Sequence, residues 1–316
     1  MMQPTITMRH RFTVFAALCA LIAPAARAQQ AGVGDPVVTP VPGFADFLAV
    51  DGDQVWTTNA GRVELWSHHG KIASVALPHP CGAMALTAGA LWVADCQTRS
   101  LNRIDPAKAT LTATIPTGIA DPSGELNVVA GAGAVWLASA ASGEVSRIDP
   151  ATNTITAKIA VDPGTSYMAF GFGAVWAVSA KQQSLQRIDP ATNTVVLRTA
   201  LGHNPGFLAA GEGAVFVQEQ GDGTLARVDP ASGTVSGRVK LGATLKWGDI
   251  DTGGGVVWLR TTEDQEFAAI NPATLAIIAR IGKAVGSGAL RYTPAGLWTT
   301  AHDQHTLTWW PRSAAR

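Results

Sequence analysis

The chain has 316 residues, 47% of them hydrophobic and 15% charged. That is enough apolar material for a large core, and it excludes an intrinsically disordered chain. Lys and Arg number 23 against 23 Asp and Glu, a balance that points away from nucleic acid and from an anionic membrane surface.

Residues 1–28 carry the pattern of a secretory signal peptide. Arg9, His10 and Arg11 form a basic start, and residues 12–22 (FTVFAALCALI) an apolar run of 11 residues, too short to span a bilayer. Ala26-Arg27-Ala28 is an A-x-A cleavage signal. The expectation is cleavage before Gln29, a periplasmic or secreted protein, and one folded domain over 29–316. Leu18 stands where a lipoprotein site before Cys19 needs a small residue. No other apolar run is long enough to be transmembrane.

The rest of the chain repeats one phrase. GAVWLASAASGEVSRIDP at Gly133–Pro150 returns at Gly173–Pro190 and Gly213–Pro230, with weaker copies at Gly89–Pro106 and Gly255–Pro272. The Val-Trp position recurs at Trp56, Trp92, Trp136, Trp176, Phe216, Trp258 and Trp298, at intervals of 36 to 44 residues. A period near 40 marks a repeat architecture. Inside each period, short apolar runs are bounded by Gly, Pro, Asn and Asp, and no segment holds a 3.6-residue period. Each unit therefore reads as four strands. In the third they are 126–130, 134–139, 144–148 and 155–161. Gly131-Ala132-Gly133 suits a hairpin turn that needs positive φ. Asp149-Pro150-Ala151-Thr152-Asn153 suits a type I turn followed by a left-handed residue.

Four-stranded units of about 40 residues, repeated seven times, predict an all-β, seven-bladed β-propeller. The recurrent aromatic is a core residue between blades. After the last Val-Trp-like strand, only 306–311 (TLTWWP) remains, so the seventh blade lacks its outer strand. Residues 36–42 (PVVTPVP) are expected to supply it, because proline is tolerated on an edge strand. Arg103, Arg147, Arg187 and Arg227 recur at one strand position, where pairing with a neighbouring blade's Asp is expected. His68 and His69 read as plain outer-turn residues. A closed ring offers no central strand edge, so a monomer is the default.

Cys81 opens the inner strand of the second blade and Cys96 closes its second strand. With the turn centred between Ala88 and Gly89, the two face each other across an antiparallel pair, within disulfide reach. An exported compartment is oxidising, so a Cys81–Cys96 disulfide is expected.

The phrase W-V-A-x…L-x-R-I-D-P-A-T-N-T-V, with its trailing G-A-V-W, resembles the YVTN-type (YncE-like) propeller repeats of exported bacterial proteins. It is also similar to the repeats of the streptogramin B (virginiamycin B) lyase group. The matching residues are turn formers and core residues over 36–311, so the resemblance speaks to fold and little to activity. The lyase resemblance implies a Mg²⁺-assisted β-elimination that opens a cyclic depsipeptide, with His and Glu near the mouth of the central channel. Where that group reads L-W-F-T-E, this chain has Trp136-Leu137-Ala138-Ser139 and Trp176-Ala177-Val178-Ser179; Phe216-Val217-Gln218-Glu219 carries the matching Glu.

The functional face is expected to hold the loops between second and third strands and the segments entering each inner strand. Loops of the first kind carry Asn59, Asp95, Glu219, Glu263, Asp264, His302 and His305. The second kind carry His79, Asp121, Glu125, Tyr167, His203, Asn204 and Trp247. The catalytic candidates under the lyase reading are His203, Glu219, Glu263 and His302. Tyr167, Asn204 and Trp247 are the ligand-binding candidates. The glycine-rich patches open no helix and are not phosphate loops, and G-x-S-x-G, H-E-x-x-H and the WD40 signature are absent. The favoured expectation is an exported, non-catalytic propeller that binds a small molecule, peptide or protein on one face. The alternative is a lyase-like or hydrolase-like enzyme.

Overall fold

The computed structural model describes residues 32–123, 125–245, 248–260, 266–282 and 287–313. The leader expected over 1–28, Trp247, Glu263 and Asp264 lie outside the described residues. Seven antiparallel sheets of 4 strands each form the architecture. Blade one is Leu48–Asp51, Gln54–Asn59, Arg62–Ser67 and Gly70–Ala76. Blades two to six repeat that up-and-down order from Ala85, Val129, Thr165, Pro205 and Ile250. The first strand of every blade packs against the first strand of the next, and that of blade seven, Leu290–Thr293, packs against that of blade one. The ring is closed. Among the described residues no helix is long and apolar enough to cross a membrane.

Closure uses the N-terminal strand as the prolines suggested. Val37–Pro40 pairs antiparallel with Thr306–Pro311, register Val37 to Trp309 through Pro40 to Thr306. It is the outermost strand of blade seven, and Val37 and Val38 are more than half exposed. His68 is no plain turn residue. It stacks on Trp298 at 4.8 Å and meets Trp309 at 4.6 Å, which fastens blade one to blade seven.

The repeat is written in the core. The six tryptophans and Phe216 at the Val-Trp position are at most 3% exposed. Trp136, Trp176 and Trp258 each donate the indole N–H to a carbonyl five residues back, in the hairpin's first strand. Those hairpin turns are type I′: Ala132 and Gly133 have φ of 51° and 70°, and Phe172 with Gly173 repeats this at 54° and 71°. In the outer turns, Asp149 Oδ1 accepts from the Ala151 amide at 2.8 Å, and Asn153 takes the left-handed residue at φ 58°. The drifted copies keep this geometry with worse residues, Ala109 at 50° and Leu275 at 60°.

Two local expectations are corrected. Among the described residues Arg147, Arg187 and Arg227 do not pair with a neighbouring Asp, because Asp189 and Asp229 cap their own turns and blade six has Asn271 at that place. Arg147 Nη1 instead donates to the Pro190 carbonyl and to Asn193 Oδ1, both at 2.8 Å. Arg187 reaches the Pro230 carbonyl and Arg227 the Pro272 carbonyl, also in the next blade. The Arg147 guanidinium lies 5.1 Å from the Trp136 ring centre, so it joins core to turn. The disulfide between Cys81 and Cys96 is present, with Cα atoms 5.9 Å apart. Its register is not the one expected. Ala85 faces Trp92 as foreseen, but a two-residue shift places Pro80 opposite Asp95 and Cys81 opposite Ala94. The cysteines bond diagonally across a bulged pair.

Candidate functional site

The segments entering the inner strands and the loops between second and third strands meet at one end of the channel. They enclose a cavity of about 940 Å³. Its wall draws on blade one (Phe44, Asp46), blade two (Cys81), blade three (Glu125), blade four (Tyr167) and blade seven (His302, Asp303). A second cavity of about 610 Å³ continues from it over blades three to five, past Lys181 and Asn204. The two share Asp121, Glu125 and Tyr167 as a partition.

Backbone and buried polar groups hold these side chains in place. The Asp46 amide donates to the Thr58 carbonyl at 3.0 Å, and its carbonyl accepts from Thr300 Oγ1 at 2.5 Å, which ties blade one to blade seven. Buried Asn59 fixes the loop before Asp46: Oδ1 accepts from the Phe44 amide at 2.6 Å, while Nδ2 donates to the Pro42 carbonyl and to Glu64. Phe44 then lies on the His302 imidazole, centres 4.1 Å apart. His302 Nδ1 contacts Asp303 Oδ1 at 2.5 Å, and Asp303 Oδ2 accepts from the Ser287 amide at 3.1 Å.

The cavity has a floor. Phe207 of blade five packs on Tyr167 of blade four at 4.5 Å and on Phe47 of blade one at 6.2 Å. Blades one and five stand on opposite sides of a seven-membered ring. Rings meeting at that distance reach across the channel beneath the mouth. Phe47 and Phe207 are 5% and 2% exposed. The mouth is a cup with an aromatic base.

Its walls are acidic. Asp46, Asp121, Glu125 and Asp303 line the larger cavity, and no Lys or Arg does among the described residues. Burial pushes the Asp46 carboxyl well above the usual carboxylate range, and Glu125, Asp249 and Asp303 push it further, while Arg260 opposes them. Burial, then Asp249, raises Glu125 to about 7. Tyr167 donates to Glu125 Oε2 at 3.5 Å, and burial followed by the charges of Glu125 and Asp121 raises its phenol above the ordinary value. Burial lowers the His302 imidazole, while neighbouring Asp303 pulls it back. Behind the wall, Asp249 accepts from Arg291 of blade seven and from the Leu290 amide. Arg260 donates to the Thr300 carbonyl at 3.0 Å, and burial lowers it to about 10. A carboxylic acid that titrates near neutrality beside a phenol can hold or release a proton in the physiological range.

The residues named from sequence are dispersed. His302 and Tyr167 line the larger cavity, and Asn204 and Tyr167 the smaller. His203 is exposed, its amide held by Asp222 and its ring beside Gly221. Glu219 is fully buried in a two-pronged ion pair with Arg238 at 2.8 Å, and also accepts from Thr224 and the Gly202 amide. Burial alone would raise it; these partners hold it below the ordinary value. His302 lines the larger cavity, and His203 and Glu219 line neither of the two. No group of three or more His, Cys, Asp or Glu among the described residues has the arrangement of a metal site; Glu263 lies outside them. Asp46, Asp249, Arg260 and Asp303 carry no repeat signature, so residue type alone does not mark them.

The fold has counterparts among solved structures. Virginiamycin B lyase from Staphylococcus aureus superposes with a TM-score of 0.74 at 14% identity, covering 88% of this chain and 99% of that one. A streptogramin B lyase structure gives 0.73 at 14% identity, over 87% and 97%. BamB from Moraxella catarrhalis gives 0.64 at 14% identity, over 84% of each chain. No family model matches the sequence, and no curated protein matches it. At such identity these likenesses establish a streptogramin-lyase-like propeller fold and leave activity open.

Proposed function

We propose that the protein is an exported propeller that binds a ligand in the acidic cup at the channel mouth. The observation that carries this reading is the cup itself: a cavity of about 940 Å³ whose polar groups converge from five blades. Concave sites of this size with few convergent polar groups are where proteins take small molecules. Export is supported by the leader pattern of residues 1–28 and by a disulfide of the kind that persists in oxidising compartments. Binding is preferred over metal-assisted elimination because Glu219 is already neutralised by Arg238 and His203 lines neither cavity. The enzyme alternative retains one support, the near-neutral Glu125 beside Tyr167.

The test fills the cup. Ala60 is an exposed turn residue on its rim, so Ala60→Trp obstructs the cavity at little cost in stability. Wild type and variant are equilibrated with a fragment set of cationic, anionic and neutral members, and retained fragments are identified by mass spectrometry. Retention by wild type and its loss in the variant are expected. Retention that ignores the Trp places the ligand elsewhere, and no retention by wild type removes the reading.

A further inference from the structure

We infer that the cup takes an organic cation, a ligand with a protonated amine seated at Asp46 and Glu125 and an apolar body against Phe44 and Tyr167. This rests on the reading of the mouth as a binding site and adds the chemistry of what binds there.

Three independent features agree. The first is charge. Four carboxylates face the cavity and, among the described residues, no Lys or Arg lines it. Like charges crowded in a low-dielectric site repel, and an incoming cation converts that repulsion into attraction. The second is an open acceptor. No described residue donates a hydrogen bond to the Asp46 carboxylate, although its backbone is pinned on both sides. Asp46 is half-buried and lines the cavity, so its carboxylate is open to a ligand's donor, and an ammonium N–H makes a charge-assisted hydrogen bond there. The third is the aromatic lining. Phe44 is 50% exposed at the rim, lying on His302, and Tyr167 stands over Phe207 at the base. Aromatic faces beside carboxylates are the environment in which alkylammonium groups are held by cation–π attraction.

The same features favour an organic cation over a bare metal ion. A divalent ion needs several oxygen or nitrogen ligands at about 2.0–2.6 Å, and the described residues offer no such group of three. Carboxylates spread around a wide, aromatic-floored cup suit a larger ligand.

The groups that set the site's charge are known from every side. Asp46 is influenced by Glu125, Asp249, Asp303 and Arg260. Glu125 is influenced by Asp249 and Tyr167, and His302 by Asp303, Arg260 and His305. With Glu125 titrating at about 7, amine binding strengthens as pH rises from 5.5 to 8. An alkylammonium keeps its own proton over that range.

The experiment is calorimetric titration of the full mature chain with 2-phenylethylamine, putrescine and agmatine. Controls are 2-phenylethanol, phenylacetate, Mg²⁺ and Ca²⁺. At least one amine is expected to bind at pH 8 about ten-fold or more tightly than the alcohol, the worth of one charge-assisted hydrogen bond. It weakens at pH 5.5. Asp46→Asn and Glu125→Gln are each expected to reduce affinity about ten-fold or more, with thermal unfolding recorded to show that each variant is folded. Should one variant fail to fold, the other and the wild-type pH series still decide. Tighter binding of the alcohol or phenylacetate overturns the amine while leaving a working cup. Binding of Mg²⁺ or Ca²⁺ with no amine bound overturns it in favour of a metal. No binding of any amine also overturns it. The fragment experiment with Ala60→Trp then shows whether the binding reading itself survives.

Discussion

Replacing Glu125 by Gln tests the electrostatics of the cup without emptying it. Gln keeps an oxygen to accept from Tyr167, so the 3.5 Å contact can persist. In the folded protein the Glu125 carboxyl titrates at about 7, against an ordinary value of 4.5. Below the lower value both folded and unfolded chains hold the proton. Between the two values only the folded chain holds it, so stability falls as pH rises through that window. Above about 7 the full cost is present, at most about 3 kcal/mol for this one group. The variant has no proton to lose. Thermal unfolding recorded from pH 5 to 8.5 should therefore show wild type losing roughly 5 °C more than Glu125→Gln across the range. Asp46 is raised in the same direction and in part by the Glu125 charge, so its upward shift shrinks in the variant, which widens the difference in the same sense. Parallel melting curves at every pH would mean that Glu125 is solvated and ordinary, and the acidic-cup account would lose its main titrating group.

Other outcomes follow from the fold. The double substitution Cys81→Ser, Cys96→Ser opens a loop with sequence separation 15 and should cost about 3 kcal/mol in denaturant unfolding; an unchanged midpoint would show the bond to be dispensable. Removing residues 32–42 strips the outer strand from blade seven and should lower stability by about 2–4 kcal/mol, with dimers or larger species by light scattering as Thr306–Pro311 becomes a free edge; a monomer of unaltered stability contradicts this closure. Glu219→Gln leaves Arg238 without its counter-charge and should destabilise by about 1–3 kcal/mol while leaving retention of cup ligands unchanged, whereas loss of ligand retention at full stability would return Glu219 to the site. Ala109→Asn puts a residue tolerant of the left-handed region where φ is 50° and should gain about 0.5–1 kcal/mol; a loss would mean that the turn changes shape in that copy.

Much of the architecture was legible because the same physical demands recur from blade to blade. The Val-Trp position must be buried in all seven, and in blades two to six the hairpin needs Gly at its second turn residue and the outer turn Asp or Asn to cap amides; these demands imprint a period. Closure was legible from Pro36, Pro40 and Pro42, since an edge strand is where missing amides are tolerated. The disulfide was legible from the leader pattern and from proximity, but its register was not, because the bulge before Ala85 leaves no signature in residue type. The cup was only half legible. Glu125, Tyr167 and His302 stand on loops that the propeller assignment brings to one end. Asp46 and Asp303 meet across more than 250 positions, and only the ring closing through blade seven joins them. Phe47 and Phe207 read as ordinary core residues. What makes them a floor is the ring's diameter, which a period does not specify.

The most direct measurement is a crystal structure of residues 29–316 soaked with 2-phenylethylamine at pH 8. Density is expected in the cup, with the amine within hydrogen-bonding distance of the Asp46 and Glu125 carboxylates and the ring against Phe44 or Tyr167. An empty cup with density at the opposite end of the channel, or on the outer strands, contradicts it.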